Sequence, residues 1–108
     1  MKHKVSELTG TLLDAAVATA VGAKLVSGVW RWPKGGALLE QFYRPSSDWG
    51  QGGPIIEREE IQLGGYGQSR QAEIRDDSKL WVSVWGETLL IAAMRAFVTH
   101  KLGEEVEL

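Results

Sequence analysis

The segment LWVSVW, residues 80–85, constrains the fold more than any other part of this chain. Its side chains alternate with a period of two, so Leu80, Val82 and Val84 point to one face and the two tryptophans to the other. The pattern predicts a β-strand that is apolar on both faces. Such a strand is usually covered on both sides, so the rest of the chain has to supply that cover.

A hairpin and several edge strands are predicted around this central strand. AEIR at 72–75 predicts a partner strand, and DDSK at 76–79 predicts the connecting turn, because Asp and Ser side chains favour turn geometry. Shorter strands are predicted at 61–63, in KVSEL near the N-terminus and in EEVEL at the C-terminus. The two terminal strands suit the edges of a sheet.

An amphipathic helix is predicted at about residues 10–21. Apolar residues recur there in pairs, each four residues after the last, which is the period of one helix face. Thr9 precedes the stretch as a candidate N-cap, and Gly22 follows it where a left-handed residue is common. Both ends of this helix are therefore specified locally.

A second helix is predicted between Thr88 and Gly103. Leu90, the pair Ala93 and Met94, and later apolar pairs trace one stripe at helical spacing. Thr88 is a candidate N-cap and Gly103 a candidate C-terminal glycine, while basic residues in the last turn oppose the negative end of the helix dipole.

Two helices and a strand that needs cover on both faces favour a small three-layer α/β/α sandwich of the mixed α/β (α+β) class. In this packing one helix flanks each face of a short, mostly antiparallel or mixed sheet. The alternative places both helices on one face. Trp81 and Trp85 would then be covered by the 23–50 segment or by a second subunit.

Composition limits the class of protein. With 44% hydrophobic and 24% charged residues, residues 1–108 are expected to form a single folded domain. The absence of cysteine excludes disulfides and thiolate chemistry and favours the cytoplasm. No secretion signal or membrane span is expected, since the apolar stretch 12–30 is interrupted by Asp14 and Lys24.

The Gly-rich segment inside YRPSSDWGQGGPIIEREEI, residues 43–61, leaves two interpretations open. Gly50, Gly52 and Gly53 allow successive amides to converge on a phosphate or carboxylate. Alternatively the segment is a sharp turn, or hinge, that leads into the strand at 61–63. It fits no nucleotide-binding motif, and Pro54 removes one amide.

Catalytic and metal sites are not predicted. Asp48, Glu57, Glu59 and Glu60 lie near the Gly-rich segment, and a strand-like alternation would place Glu57 and Glu59 on one side. No histidine lies near them, and the chain lacks the HExxH and GxSxG patterns. We therefore expect no metal, no cofactor and no enzymatic activity.

A basic and aromatic stretch, residues 24–45, is typical of surfaces that bind single-stranded nucleic acid, where bases stack on rings beside phosphate-pairing cations. It also suits a long connection anchored by buried aromatics. The excess of positive charge in the first 56 positions, six basic against four acidic residues, is too small for a dedicated nucleic-acid binder. The candidate residues are Lys24, Trp30, Arg31, Trp32, Lys34 and Arg44.

Three blocks resemble the small phage and prophage proteins of the NinX type: ELTGTLLDAAVATAVG, YRPSSDWGQGGPIIEREEI and LLIAAMRAFVTHKLGEEVEL. The resemblance covers most of the chain. It implies an α/β/α sandwich domain and an accessory role in phage, with no catalytic residue. The motif positions are Ser47, Asp48, Trp49, Gln51, Gly52, Gly53, Pro54 and Glu57, and all of them except Pro54 are candidate binding residues.

Within that motif we expect Trp49 to pack inward and Asp48 or Ser47 to bond amides of the turn. Any ligand should contact Gly52, Gly53 and Glu57. The expected function is a non-enzymatic phage accessory protein that binds a host or phage protein, with homodimer formation left open. The alternative is a single-stranded nucleic-acid or recombination accessory protein.

Overall fold

A computed structural model describes residues 1–65, 70–75 and 81–108, apart from the side chain of Trp81. Two 3₁₀ turns, Val5–Glu7 and Glu40–Phe42, accompany the helices and strands. In chain order the described elements are β1 (Lys2–Lys4), α1 (Gly10–Ala20), β2 (Lys24–Val26), β3 (Val29–Arg31), β4 (Ala37–Leu39), α2 (Trp49–Arg58), β5 (Gln62–Gly64), β6 (Arg70–Arg75), β7 (Trp81–Gly86), α3 (Leu89–Leu102) and β8 (Glu105–Glu107).

The largest sheet is antiparallel, in the order β5–β6–β7, and it contains the predicted hairpin. Ala72 lies opposite Val84 and Ile74 opposite Val82, so these four side chains share one face. Ala72 and Ile74 are fully buried on that face, where α3 packs. The predicted hairpin turn at 76–79 and Leu80 lie outside the described residues.

The two predicted helices, α1 and α3, are confirmed, and some of the predicted capping interactions are present. In α3 the Thr88 hydroxyl accepts a hydrogen bond from the Ile91 amide at 3.0 Å, and Gly103 ends the helix with φ of 95°. At the end of α1, Gly22 has φ of 86°, as a left-handed glycine should. At its beginning, however, Thr9 makes no side-chain capping bond.

The mixed α/β class is confirmed. The packing of the helices shows in which order the helices and the sheet are layered. α1 packs against α3, which itself packs on β6 and β7. On the outward face of β6 and β7, Gln71 and Ser83 are exposed and Trp85 is 49% exposed. In this part of the chain the arrangement corresponds to the alternative with both helices on one side of the sheet.

A second sheet, β2–β3–β4, occupies the stretch that was predicted to be a long connection. Ser27 and Gly28, with φ of 52° and 76°, form the two-residue turn between β2 and β3. Val26 lies opposite Val29, which in turn lies opposite Leu39. The Ser-Gly pair between short apolar runs is the sequence signal that would have predicted this hairpin.

The termini form a two-stranded ribbon, since β1 pairs with β8 in antiparallel register. His3 lies opposite Val106, and Val106 is buried. The Val5 amide extends the pairing by donating to the Glu104 carbonyl at 2.9 Å. The predicted C-terminal strand is thus confirmed, and it pairs with an N-terminal strand. The prediction of that N-terminal strand in KVSEL was wrong in its bounds, because the strand is Lys2–Lys4 and Val5–Glu7 form a 3₁₀ turn.

Arg95 on α3 is a buried charge, 1% exposed, that joins three parts of the fold. Its Nε donates to the Leu8 carbonyl at 2.9 Å and its Nη1 to the Trp85 carbonyl at 3.0 Å. Its Nη2 lies 3.2 Å from the Glu87 carboxylate. The guanidinium therefore ties the N-terminal segment and the end of β7 to α3.

We expect Arg95→Met to lower the free energy of unfolding by about 3 kcal/mol, because the Leu8 and Trp85 carbonyls would lose their buried donor. Urea unfolding followed by circular dichroism measures the change. Glu87→Gln is the matched control and should cost less than about 1 kcal/mol, since it removes only a half-exposed ion partner. Equal stability of the two variants would contradict this role of Arg95.

Candidate functional site

The Gly-rich motif forms a helix, so its prediction as a hinge leading into a strand was wrong. α2 spans Trp49–Arg58 and contains Gly50, Gly52, Gly53 and Pro54. Glycine and proline disfavour an isolated helix, and local propensity therefore pointed to a turn. Tertiary packing overrides that propensity here, because Gly52 and Ile55 are buried against the rest of the fold.

Asp48 is the N-cap of α2, which confirms the expectation that this carboxylate accepts a hydrogen bond from a nearby amide. Its Oδ1 accepts from the Gly50 amide at 2.8 Å. The amides of Gln51 and Gly52 donate to the Asp48 carbonyl at 3.0 and 2.8 Å. These three amides are therefore already bonded, and they do not form an open nest for an anion.

Gln51 holds the segment that precedes α2. Its Oε1 accepts from the Arg44 amide at 2.6 Å, and its Nε2 donates to the Phe42 carbonyl at 2.8 Å. Both ends of the amide side chain are thus used within the protein. Gln51 positions residues 42–44, and a ligand would have to displace these bonds to reach it.

Gly52 is required by packing. A Cβ at this position would meet the Pro45 carbonyl oxygen and would lie 2.6 Å from Cδ1 of Leu90. Gly53, next along the helix, has nothing within 4 Å of its Cβ position. The two adjacent glycines of the motif therefore differ in role.

Three motif residues, Trp49, Gly53 and Glu57, lie four residues apart and share the outer face of α2. Trp49 is 53% exposed, so the expectation that it packs inward was wrong. Glu57 is exposed as well. This face turns outward because Gly52 and Ile55 occupy the buried side of the helix.

The six residues of the basic and aromatic stretch do not share one surface. Lys24 and Arg31 lie directly opposite each other on β2 and β3 and are both exposed. Trp30, which precedes Arg31 on β3 and lies opposite Leu25, points to the other face and is 6% exposed.

The remaining three residues of that stretch lie elsewhere. Trp32 packs edge-on against Tyr43, with ring centroids 5.3 Å apart. Lys34 lines a cavity beside the C-terminal ends of the helices, and Arg44 lines a different cavity at the beginning of α1. The connection is therefore anchored by its aromatic residues, in agreement with the second interpretation of this stretch.

The cavity at the beginning of α1, which we call the α1 cavity, has a volume of about 550 Å³. It is bounded by the first turns of α1, by β3 and by the segment between β4 and α2. Its lining residues are Gly10, Thr11, Asp14, Ala15, Trp30, Glu40, Gln41, Tyr43, Arg44 and Ser47. Ser47, Trp30 and Arg44 are the candidate residues from the sequence that meet here.

Asp14 is the buried acidic residue of this cavity that sequence reasoning missed. It is only 7% exposed, and its Oδ1 accepts from the Ser46 amide at 2.9 Å, which joins α1 to the segment before α2. Burial raises the pKa of this carboxyl above its usual range, although the Ser46 hydrogen bonds and Arg44 oppose the shift. An acidic residue inside the apolar stripe of a predicted helix was the available signal.

Tyr43 lies beside Asp14 in the α1 cavity. Burial and, to a lesser extent, the Asp14 charge raise the pKa of Tyr43 to about 12. The phenol is therefore protonated at neutral pH and able to donate a hydrogen bond.

Neither a metal cluster nor a membrane-spanning helix is present in the part of the chain that the structure describes. No group of three or more His, Cys, Asp or Glu residues in ranges 1–65, 70–75 and 81–108 is placed to hold a metal ion. None of the helices in these ranges has the length and apolar character needed to cross a membrane.

Comparison with known proteins agrees with the resemblance seen in the sequence. The family model described as "Bacteriophage P22, NinX" matches residues 4–101. The match includes α1, the motif around α2 and nearly all of α3. No curated protein matches this sequence.

We expect Gly52→Ala to lower the free energy of unfolding by about 1–3 kcal/mol, because the new methyl group overlaps Pro45 and Leu90. Gly53→Ala is the matched control and should raise it by about 0.5–1 kcal/mol, since alanine favours the helix and has open space. Denaturant unfolding of both variants checks the pair. Similar changes in the free energy of unfolding at both positions would show that helix propensity, and not packing, determines the effect of these substitutions.

The pH dependence of stability should reveal Asp14. Its pKa is raised in the folded state, so its contribution is present below the unfolded value of 3.8 and is lost as the pH rises through the folded pKa. We expect the stability of the wild type relative to Asp14→Asn to fall as the pH rises from 3.8 towards neutrality. Urea unfolding across this range measures the difference, and a constant or rising difference would contradict the shift.

Proposed function

We propose that this chain, which belongs to the bacteriophage P22 NinX family, is an accessory protein that acts by binding another protein. The partner is a host or phage protein with an acidic surface. In this proposal the protein works in the bacterial cytoplasm, has no enzymatic activity and needs no cofactor. The support comes from the exposed outer face of the β2–β3–β4 sheet and from the arrangement of the polar groups in the α1 cavity.

The observation that carries the proposal is the outer face of the β2–β3–β4 sheet. Val26, Val29 and Leu39 form one cross-strand row on this face. Val26 is 51% and Leu39 47% exposed, and Val29 is half-buried. Adjacent exposed apolar side chains on a sheet are a common feature of surfaces that bind proteins.

Charge on the same face indicates the chemistry of the partner. Lys24 and Arg31 are directly opposite in the register, and like charges in that position destabilise a sheet. Within the described part of the chain neither residue forms an ion pair. An acidic partner would neutralise both charges while its apolar side chains covered the valine and leucine row.

The polar groups of the α1 cavity support binding over catalysis. The Asp14 carboxylate, its most buried acid, is bonded to Ser46 and serves to hold the chain together. The hydroxyl of Ser47 has no hydrogen-bond partner among the described residues and therefore no adjacent base to activate it. These groups hold the segments around the cavity in place, and they do not form a pair of nucleophile and general base.

The alternative function is binding of single-stranded nucleic acid, and its support is the same unneutralised pair, Lys24 and Arg31. The aromatic residues favour it less. Bases bind such proteins by stacking on exposed rings, and Trp30 faces inward while Trp32 packs on Tyr43. We therefore place this function second.

We expect Lys24→Ser/Arg31→Ser to weaken capture of the partner by about tenfold, because the interface loses two charge contacts. Leu39→Ser should have a similar effect by removing the apolar row. Tagged protein is incubated with lysate of an induced or infected host, with and without nuclease, and the bound proteins are identified and titrated.

The control is Lys2→Ser/Lys4→Ser, which removes the same charge from exposed positions on β1 and should leave capture unchanged. Capture that disappears with nuclease would support the nucleic-acid alternative. Capture that persists in all three variants would contradict the proposed surface.

A further inference from the structure

The α1 cavity is separate from the outer face of the β2–β3–β4 sheet, because Trp30 lines it from the opposite face of β3. An inference about it therefore does not depend on the proposed function. The cavity brings together hydrogen-bond donors that lack partners among the described residues, and they come from three different elements.

The first group of donors is the beginning of α1. Thr9 occupies the N-cap position without bonding any amide through its side chain, and the first bond into the helix is from the Leu13 amide to the Thr9 carbonyl at 3.3 Å. The amides of Gly10 and Thr11, which line the cavity, are therefore left without a capping acceptor among the described residues. By contrast, Asp48 caps α2 and Thr88 caps α3.

The second group consists of two aromatic side chains that are more than nine-tenths buried. Trp30 is 6% exposed and Tyr43 9% exposed. Neither the indole N–H of Trp30 nor the hydroxyl of Tyr43 has a hydrogen-bond partner in the described ranges, and neither atom is sealed from solvent. Because both atoms reach solvent, a ligand acceptor in this cavity would take the place of solvent as the partner of these two donors.

The third donor is Arg44, whose Nε is bonded to the Gln41 carbonyl at 3.0 Å. This bond and the Gln51 bond to its amide fix the residue at the cavity wall. The terminal guanidinium nitrogens have no ion-pair partner among the described residues. They remain able to bind an acceptor, and a guanidinium pairs best with a planar anion.

We propose that the α1 cavity binds a carboxylate group. The positive end of α1, the Trp30 and Tyr43 donors and Arg44 all favour an anionic acceptor. Asp14 and Glu40 also line the cavity, so its walls carry two carboxylates against one guanidinium. This balance disfavours a dianionic phosphate more than a monoanion, and the carboxylate is the planar monoanion that fits Arg44.

A carboxylate reaches such a site either as a small free acid or as the end of a peptide. The two sources share the same contacts at the α1 cavity. They differ in the group attached to the carboxylate carbon, because a peptide would add an amide beside it. The test therefore uses one probe of each kind.

The test follows the indole N–H of Trp30 and the amides of Gly10 and Thr11 by two-dimensional NMR of the ¹⁵N-labelled full chain, with resonances assigned by triple-resonance spectra. Probes are sodium acetate, N-acetylglycine and inorganic phosphate, with sodium chloride at equal ionic strength and N-acetylglycinamide as the uncharged control. We expect both carboxylates to shift the three signals together and saturably. Tighter binding of N-acetylglycine would identify a peptide end, and equal or tighter binding of acetate a free acid.

Arg44→Gln should weaken the affinity by about tenfold, because one charged hydrogen-bond donor is lost. Arg70→Gln is the matched control at an exposed position on β6 away from the cavity and should leave the affinity unchanged. The proposal is overturned if neither carboxylate shifts Trp30 saturably, if inorganic phosphate binds more tightly than acetate, or if Arg44→Gln binds as the wild type does.

Discussion

The fold depends on a buried guanidinium. Arg95 reaches from the centre of α3 to the carbonyls of Leu8 and Trp85 and to the carboxylate of Glu87, and it is almost completely removed from solvent. A charge in this position is stabilised only while all of its partners are in place. Arg95 therefore fixes the positions of the N-terminal segment and of the C-terminal end of β7 relative to α3. The position of α1 depends on that of the N-terminal segment, which precedes it in the chain.

A second set of polar contacts shapes the region between α1 and α2. Asp14 bonds Ser46, Gln51 bonds Phe42 and Arg44, and Asp48 caps α2. Much of the family motif is used in these internal bonds. These bonds hold in place the segment that forms one wall of the α1 cavity.

Several elements were predictable because their signals are local. α1 and α3 have a helical period and a terminal glycine, α3 also has a capping threonine, and the β6–β7 hairpin has alternating apolar residues. α2 was missed because glycine and proline outweigh the local helix signals, whereas Gly52 is needed where the helix closely approaches Pro45 and Leu90. The β2–β3–β4 sheet was missed because its strands have three residues each, too few for a period to be recognised.

The sequence by itself determined the mixed class, the two long helices, the central hairpin and the family, since each of these is encoded by neighbouring residues. Only the tertiary structure decided that Trp30 faces inward and Trp49 outward, that Gly52 is needed by packing while Gly53 is not, and that Asp14 meets Tyr43 and Arg44 in one cavity. The physical reason is that orientation depends on which face meets the core. That choice is made by the summed packing of distant segments and is not encoded by any one of them.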